Sequence, residues 1–121
     1  MSKYHASSFA KSAVYAIRGL RIALRSQPNV QKHVRIFLLQ LIIALLLRFD
    51  FLQLAVFILA SSLPIVAELI NSSIEFTLDA YYKNKFSNMV KMAKDISAGA
   101  VLLAACVNVI VFIMLLVDKI L

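Results

Sequence analysis

The chain has 121 residues, of which 62% are hydrophobic, and it carries a formal net charge of +7. A fold of this size has too little interior to hide so much apolar surface, which excludes an ordinary soluble domain and makes lipid part of the solvent. In a membrane protein, an excess of basic residues is typical of the segments that orient the chain by staying in the cytoplasm and of contact with anionic lipid. No nucleic-acid-binding motif accompanies it, so we expect no nucleic acid partner.

The first predicted element is an amphipathic helix over residues 7–26. Its apolar residues recur at helical spacing, and its basic residues take the other positions. The apolar set is Phe9, Ala13, Ala16, Ile17, Leu20 and Leu24, and the basic set is Lys11, Arg18, Arg21 and Arg25. This pattern predicts a helix that lies on the membrane surface.

Three apolar segments follow, and we expect them to span the membrane at about residues 30–47, 51–67 and 96–117. The second helix is expected to continue to about residue 79. Apolar and polar residues do not alternate within these segments, which excludes a transmembrane barrel. The two glycines exclude a P-loop and a dinucleotide fingerprint. The prediction is therefore an all-α membrane protein, one domain over residues 1–121, with a surface helix and three transmembrane helices.

The distribution of charge predicts the orientation. Seven Lys or Arg residues and no acidic residue precede Ile36, and the segment 80–95 holds four lysines against one acid. The positive-inside rule places both regions in the cytoplasm. Three spans then leave the C-terminus outside.

Polar side chains follow one face of the second helix as it leaves the apolar run. The set is Glu68, Asn71, Ser72, Glu75 and Asp79, hereafter the polar stripe, with members three or four residues apart. Acids at membrane depth usually face a partner or a site. Two carboxylates with an amide between them can hold a divalent cation and accept a proton. The alternative is a helix that leaves the bilayer with a solvated face.

A second cluster precedes the third span. Lys94 can meet phosphate oxygens as a point charge, and Asp95 can fix that lysine or hydrogen-bond a ligand. The alternative is a pair of interfacial anchors. Small residues at helical spacing suit close packing between helices, and they are Ala93, Ser97, Ala100 and Ala104.

The string E-L-I-N-S-S-I-E-F-T-L-D over residues 68–79, followed by A-K-D over residues 93–95, resembles the prokaryotic diacylglycerol kinase family, which includes undecaprenol kinases. The resemblance covers nearly the whole chain. It implies a homotrimeric bundle in the bacterial inner membrane. It also implies transfer of the γ-phosphoryl group of MgATP to the hydroxyl of a membrane lipid, without a P-loop.

The resemblance also implies roles for individual residues. Glu68 resembles the general base, Asn71 a positioning residue, and Glu75 a carboxylate that binds the Mg²⁺ of ATP. The residues that match nucleotide-binding positions are Lys11, Tyr15, Glu75, Lys94 and Asp95. Phosphoryl transfer requires groups of these kinds, because a metal ion, a lysine and a base catalyse it by positioning the reactants and stabilising charge.

Three features depart from the family pattern. Gln27 stands where a second metal-binding glutamate is usual, and Ser8 stands where many members have an arginine that meets ATP. The segment 80–90 is one residue longer and basic. These departures leave open a non-catalytic member that binds lipid or a partner.

The acceptor lipid also stays open between two readings. Residues 71–75 look closer to diacylglycerol kinases, which is the preferred reading. Asn29, His33 and residues 93–103 look closer to undecaprenol kinases.

Overall fold

A computed structural model describes residues 8–83 and 85–121. Its four helices are α1 (Phe9–Ser26), α2 (Pro28–Leu46), α3 (Phe51–Tyr82) and α4 (Asn88–Ile120), and no strand occurs among the described residues. The all-α prediction is confirmed. The predicted surface helix corresponds to α1, although residue 7, its expected first residue, lies outside the described ranges.

Local sequence explains where the helices begin and end. The Ser8 hydroxyl accepts a hydrogen bond from the backbone N–H of Lys11 at 3.2 Å, which caps α1. Gln27 adopts an extended backbone between α1 and α2, and Pro28 then opens α2. At the start of α3, Asp50 and Gln53 form a reciprocal capping box. Helix α3 continues without interruption through Pro64.

The connection between α3 and α4 is shorter than the sequence predicts. We expected a basic loop over residues 80–90 and a span that begins near residue 96. Instead α3 continues to Tyr82, Lys83 takes a left-handed backbone conformation with φ 50°, and α4 begins at Asn88. Residues 88–95 contain good helix formers, so the helix begins before the apolar run.

Helices α3 and α4 form the main packed pair, and α2 packs on α3. A buried aromatic cluster holds the end of the bundle near the α2–α3 turn. The Phe57 ring, 1% exposed, lies 5.7 Å from the Phe37 ring and 5.8 Å from the Phe112 ring, and Phe49 lies beside Phe112. We call these four residues the aromatic cluster.

Two polar pairs tie α4 to the rest of the bundle. Gln53 Nε2 donates to Asp118 Oδ2 at 2.8 Å, which joins the start of α3 to the end of α4. Asn108 Nδ2 donates to Gln40 Oε1 at 3.2 Å, and both residues are buried between α4 and α2. Hydrogen bonds satisfy polar groups that would otherwise be costly inside an apolar bundle.

Helices α2, α3 and α4 are each long and apolar enough to cross a membrane. Large apolar side chains cover the outside of the bundle, and Leu102, Leu103 and Met114 are all more than 60% exposed. A contiguous apolar exterior of this kind requires lipid rather than water around it. The chain is a membrane protein.

Candidate active site

The polar stripe lies along α3 between its midpoint and its end at Tyr82. Glu68, Asn71 and Ser72 are each 4% exposed, while Glu75 and Asp79 are partly exposed. Because α3 is continuous through these positions, the predicted spacing does place them on one side of the helix. A buried carboxylate without a cation beside it is costly, so the buried end of the stripe is a candidate site.

Asn71 connects the two glutamates. Its Nδ2 atom lies 3.4 Å from Glu68 Oε1 and 3.3 Å from Glu75 Oε1. Carboxylate oxygens only accept hydrogen bonds, so the amide must turn its N–H groups towards them. Both distances exceed the usual range of 2.7–3.2 Å, so the hydrogen bonds are weak. The carboxylates are therefore oriented while keeping capacity for another ligand.

Ser97 of α4 holds the other side of the same amide. Its hydroxyl donates to Asn71 Oδ1 at 2.6 Å, and Ser97 itself is 8% exposed. Sequence reasoning assigned Ser97 only to a stripe of small packing residues and missed this role. The available signal was a serine within an otherwise apolar run. The structure makes Ser97 the residue that fixes the orientation of the Asn71 amide.

Two ion pairs follow at the end of the stripe near Tyr82. Lys94 Nζ lies 2.6 Å from Asp79 Oδ1, and Lys91 Nζ lies 2.7 Å from Asp95 Oδ2. The expectation that Asp95 could fix Lys94 is wrong for this structure. Consecutive residues on a helix point in different directions, whereas residues four apart share a face, so Asp95 pairs with Lys91. Lys94 reaches across to α3 instead.

Both ion pairs line a cavity of about 300 Å³ between α3 and α4. Lys85 contributes a third ammonium group, and Tyr82 and Phe86 contribute aromatic walls. Solvent-exposed ion pairs contribute little to stability, so replacing one of these partners costs little free energy. The cavity therefore presents three lysines at the end of α3, two of them paired with carboxylates that an anionic ligand would have to displace.

The predicted site residues on and directly after α1 differ in their position relative to the polar stripe. Lys11 and Tyr15 are exposed, and the Arg18 guanidinium lies 5.5 Å from the centre of the Tyr15 ring. Among the described residues, no hydrogen bond or ion pair joins Lys11 or Tyr15 to the polar stripe. Gln27, in contrast, lines a cavity of about 590 Å³ together with Ser72. The structure thus brings Gln27 to the edge of the stripe.

The donor atoms suit a magnesium ion that arrives with its own phosphate ligands. No group of three or more His, Cys, Asp or Glu side chains among the described residues is placed to hold a metal alone. Mg²⁺ in phosphoryl-transfer sites is typically bound by one or two carboxylates, with phosphates and water completing the shell. Glu75, with the Asn71 amide beside it, supplies that kind of partial site.

The fold and this site define a small helical membrane protein with paired carboxylates beside a lysine-lined cavity. The model of the prokaryotic diacylglycerol kinase family matches residues 14–116. The chain belongs to the prokaryotic diacylglycerol kinase family, which confirms the family inferred from the sequence.

Named relatives support the same conclusion. The chain is 36% identical to a diacylglycerol kinase of Synechocystis over 80% of this chain and 55% of that protein. It is 31% identical to the undecaprenol kinase of Bacillus subtilis over 92% of this chain and 89% of that protein. It is 34% identical to a diacylglycerol kinase of Helicobacter pylori over 77% of this chain and 72% of that protein. The match therefore spans only about half the length of the Synechocystis relative.

Proposed function

We propose that this protein is a lipid kinase that transfers the γ-phosphoryl group of ATP to diacylglycerol and so produces phosphatidic acid. The observation that carries the proposal is the buried Glu68–Asn71–Glu75 unit next to a lysine-lined cavity, in a chain of this family. In the reaction, a bond forms between the lipid oxygen and the γ-phosphorus. The bond from that phosphorus to the β,γ-bridging oxygen breaks, ADP leaves, and the hydroxyl proton is transferred to the protein.

Glu68 is the proposed general base. It is the most deeply placed carboxylate of the stripe and is 4% exposed. A base inside the apolar part of the bundle can meet a lipid hydroxyl without drawing the lipid into water. The Asn71 amide, held by Ser97, keeps the Glu68 carboxylate pointing in one direction. Asn71 thus acts as a positioning residue.

Nucleotide binding is proposed at the end of the stripe near Tyr82. Lys94 is placed to exchange Asp79 for phosphate oxygens, and Asp95 lines the same cavity. Glu75 lies between this cavity and Glu68, where it would contact Mg²⁺ carried by ATP. When bound, Mg²⁺ neutralises phosphate charge and stabilises the transferring group. Gln27 would offer only a neutral oxygen to the same metal.

Lys11 and Tyr15 are proposed as further nucleotide contacts on α1. Both side chains are exposed, and the basic residues of α1 can attract a polyphosphate. Ser8, which stands in place of a family arginine, caps α1 in this chain. The Ser8 hydroxyl oxygen is therefore engaged in the cap of α1.

Undecaprenol is the second candidate acceptor. The observation that favours it is that the match to the Bacillus subtilis undecaprenol kinase covers 92% of this chain. The non-catalytic alternative, motivated by Gln27 and Ser8, predicts lipid binding without transfer. All three readings share the same membrane fold.

The proposed assembly is a homotrimer in the bacterial inner membrane. One chain has too few helices to enclose the polar stripe away from lipid, so neighbouring copies would help to bury Glu68 and Glu75. Glu68 is already 4% exposed in the single chain, whereas Glu75 remains partly exposed. Mass measurement in mild detergents tests this, and an active monomer would contradict it. The proposed orientation has the N-terminus in the cytoplasm and the C-terminus outside, and a reporter fused after Leu121 tests it.

The proposed activity is tested with purified protein in mixed micelles containing ATP and Mg²⁺. We expect phosphorylation of diacylglycerol at a higher kcat/KM than phosphorylation of undecaprenol. Reversed preference would identify the second acceptor. Binding of either lipid with no phosphorylated product from both would establish the non-catalytic reading.

A further inference from the structure

The cavity of about 590 Å³ lies between α1 and α3, beside the buried end of the polar stripe. Its walls are mostly apolar, and Leu20, Ile22 and Ala23 of α1 face Leu69 and Phe76 of α3. Such walls suit hydrocarbon chains rather than a nucleotide. The cavity is therefore separate in chemistry from the lysine-lined cavity at the end of α3.

Ser72 supplies a polar group to this apolar cavity. Its side chain is 4% exposed, and its Oγ atom is one of two buried side-chain atoms without a hydrogen-bond partner among the described residues, the other being Asn108 Oδ1. Asn108 still donates through Nδ2 to Gln40, whereas the Ser72 side chain makes no hydrogen bond to the described residues. The other two buried serines differ, because Ser61 Oγ lies 3.5 Å from the carbonyl oxygen of Ile58 and Ser97 Oγ lies 2.6 Å from Asn71 Oδ1. Buried polar groups without partners are rare and require an explanation.

The position of Ser72 relative to Glu68 indicates what the missing partner is. The two residues are four apart on one continuous helix, which places their Cα atoms about 6 Å apart along the axis. In a diacylglycerol, the free hydroxyl and the ester on the next carbon are separated by a similar length. A polyprenol that presents its hydroxyl to Glu68 has only hydrocarbon at the position of Ser72.

We propose that Ser72 Oγ donates a hydrogen bond to an ester carbonyl of the acceptor lipid, whose chains occupy the α1–α3 cavity. This assignment rests on the proposed kinase activity and makes Ser72 a residue that selects ester glycerolipids over polyprenols. A site that offers a buried donor rejects an analogue without the acceptor, because the donor is then left unpaired.

The experiment compares two acceptors that share the glycerol hydroxyl and chain length. One is a diacylglycerol and the other is a dialkylglycerol with ether linkages, which has no carbonyl. We expect the wild-type kcat/KM to be about fivefold higher for the ester lipid, the size expected for one net hydrogen bond. Ser72→Ala should remove that preference by slowing only the ester lipid, and Ser72→Thr should retain it.

Ser62→Ala provides the matched control, since Ser62 lies on α3 away from the cavity and its hydroxyl donates to the carbonyl oxygen of Leu59 at 3.0 Å. Equal wild-type activity on the two lipids would overturn the proposal without any variant. So would a loss in Ser72→Ala that is the same for both lipids, which is the result expected if a second copy of the chain fills the cavity. No product from either lipid would instead refute the kinase activity itself.

Discussion

The α3–α4 pair is packed in two different ways along its length. Near the α2–α3 turn, the aromatic cluster fills the space between the helices, and the Gln53–Asp118 hydrogen bond measures 2.8 Å. In the polar stripe the same two helices enclose carboxylates whose hydrogen bonds to Asn71 are 3.3 and 3.4 Å long. One region is filled by aromatic rings, whereas the other keeps carboxylate acceptors and a hydroxyl available for ligands.

This difference indicates a division between stability and function within one helix pair. Truncating a packed aromatic ring lowers the free energy of unfolding, because the neighbouring side chains relax only partly around the cavity that is left. Carboxylates buried without a cation beside them cost free energy and remain available to bind a ligand. Substitutions in the two regions should therefore separate unfolding free energy from turnover.

The largest expected effect is on stability and comes from Phe57→Ala. Phe57 is 1% exposed and stacks on Phe37, so truncation leaves a cavity at the centre of the aromatic cluster. We expect the free energy of unfolding to fall by about 3 kcal/mol, measured by reversible unfolding in mixed detergent micelles. Phe51→Ala is the control, since Phe51 is 89% exposed on the same helix and should change little. Equal losses would refute the division.

Glu68→Gln should have the opposite effect. The amide keeps the size of the side chain but cannot accept the hydroxyl proton, so kcat should fall by about 10²-fold or more. The free energy of unfolding should not fall, because the substitution removes the cost of burying a charge. Asp118→Asn makes the same chemical change in the other region and should leave kcat near that of the wild type. Turnover near normal in Glu68→Gln would exclude Glu68 as the base.

Ser97→Ala tests whether the Asn71 amide is held from α4. Loss of the 2.6 Å hydrogen bond frees the amide to rotate, and we expect kcat to fall by about three- to tenfold, the size of one net hydrogen bond. The KM for ATP should change little. Ser97→Thr should restore part of the rate. A loss confined to stability would make Ser97 a packing residue only.

The smallest expected effect concerns Gln27. If Gln27 meets the metal, Gln27→Glu adds a charged oxygen and should lower the Mg²⁺ concentration for half-maximal activity by about two- to threefold. Mg²⁺ favours charged oxygen ligands. Gln27→Met, similar in size but without the amide, should raise that concentration. Identical magnesium titrations for all three proteins would show that position 27 does not contact the metal.

Several features followed from the sequence because they depend on residues close together in the chain. Apolar runs predicted the three long helices, and spacing on one helix placed Glu68, Asn71 and Glu75 on one face. Both predictions require only the rise per residue and the rotation per residue of an α-helix. The motif in residues 68–79 and 93–95 was also sufficient to identify the family, which the family model confirmed.

The tertiary structure decided which residues meet across helices. Helical periodicity does not set the rotation and register of α4 against α3, and these determine that Ser97 reaches Asn71 and that Lys94 reaches Asp79 rather than Asp95. The same packing placed Gln27 beside Ser72 and left the Ser72 hydroxyl without a partner among the described residues. Contacts between distant segments depend on how whole side-chain surfaces fit together, so no local pattern in the sequence specifies them.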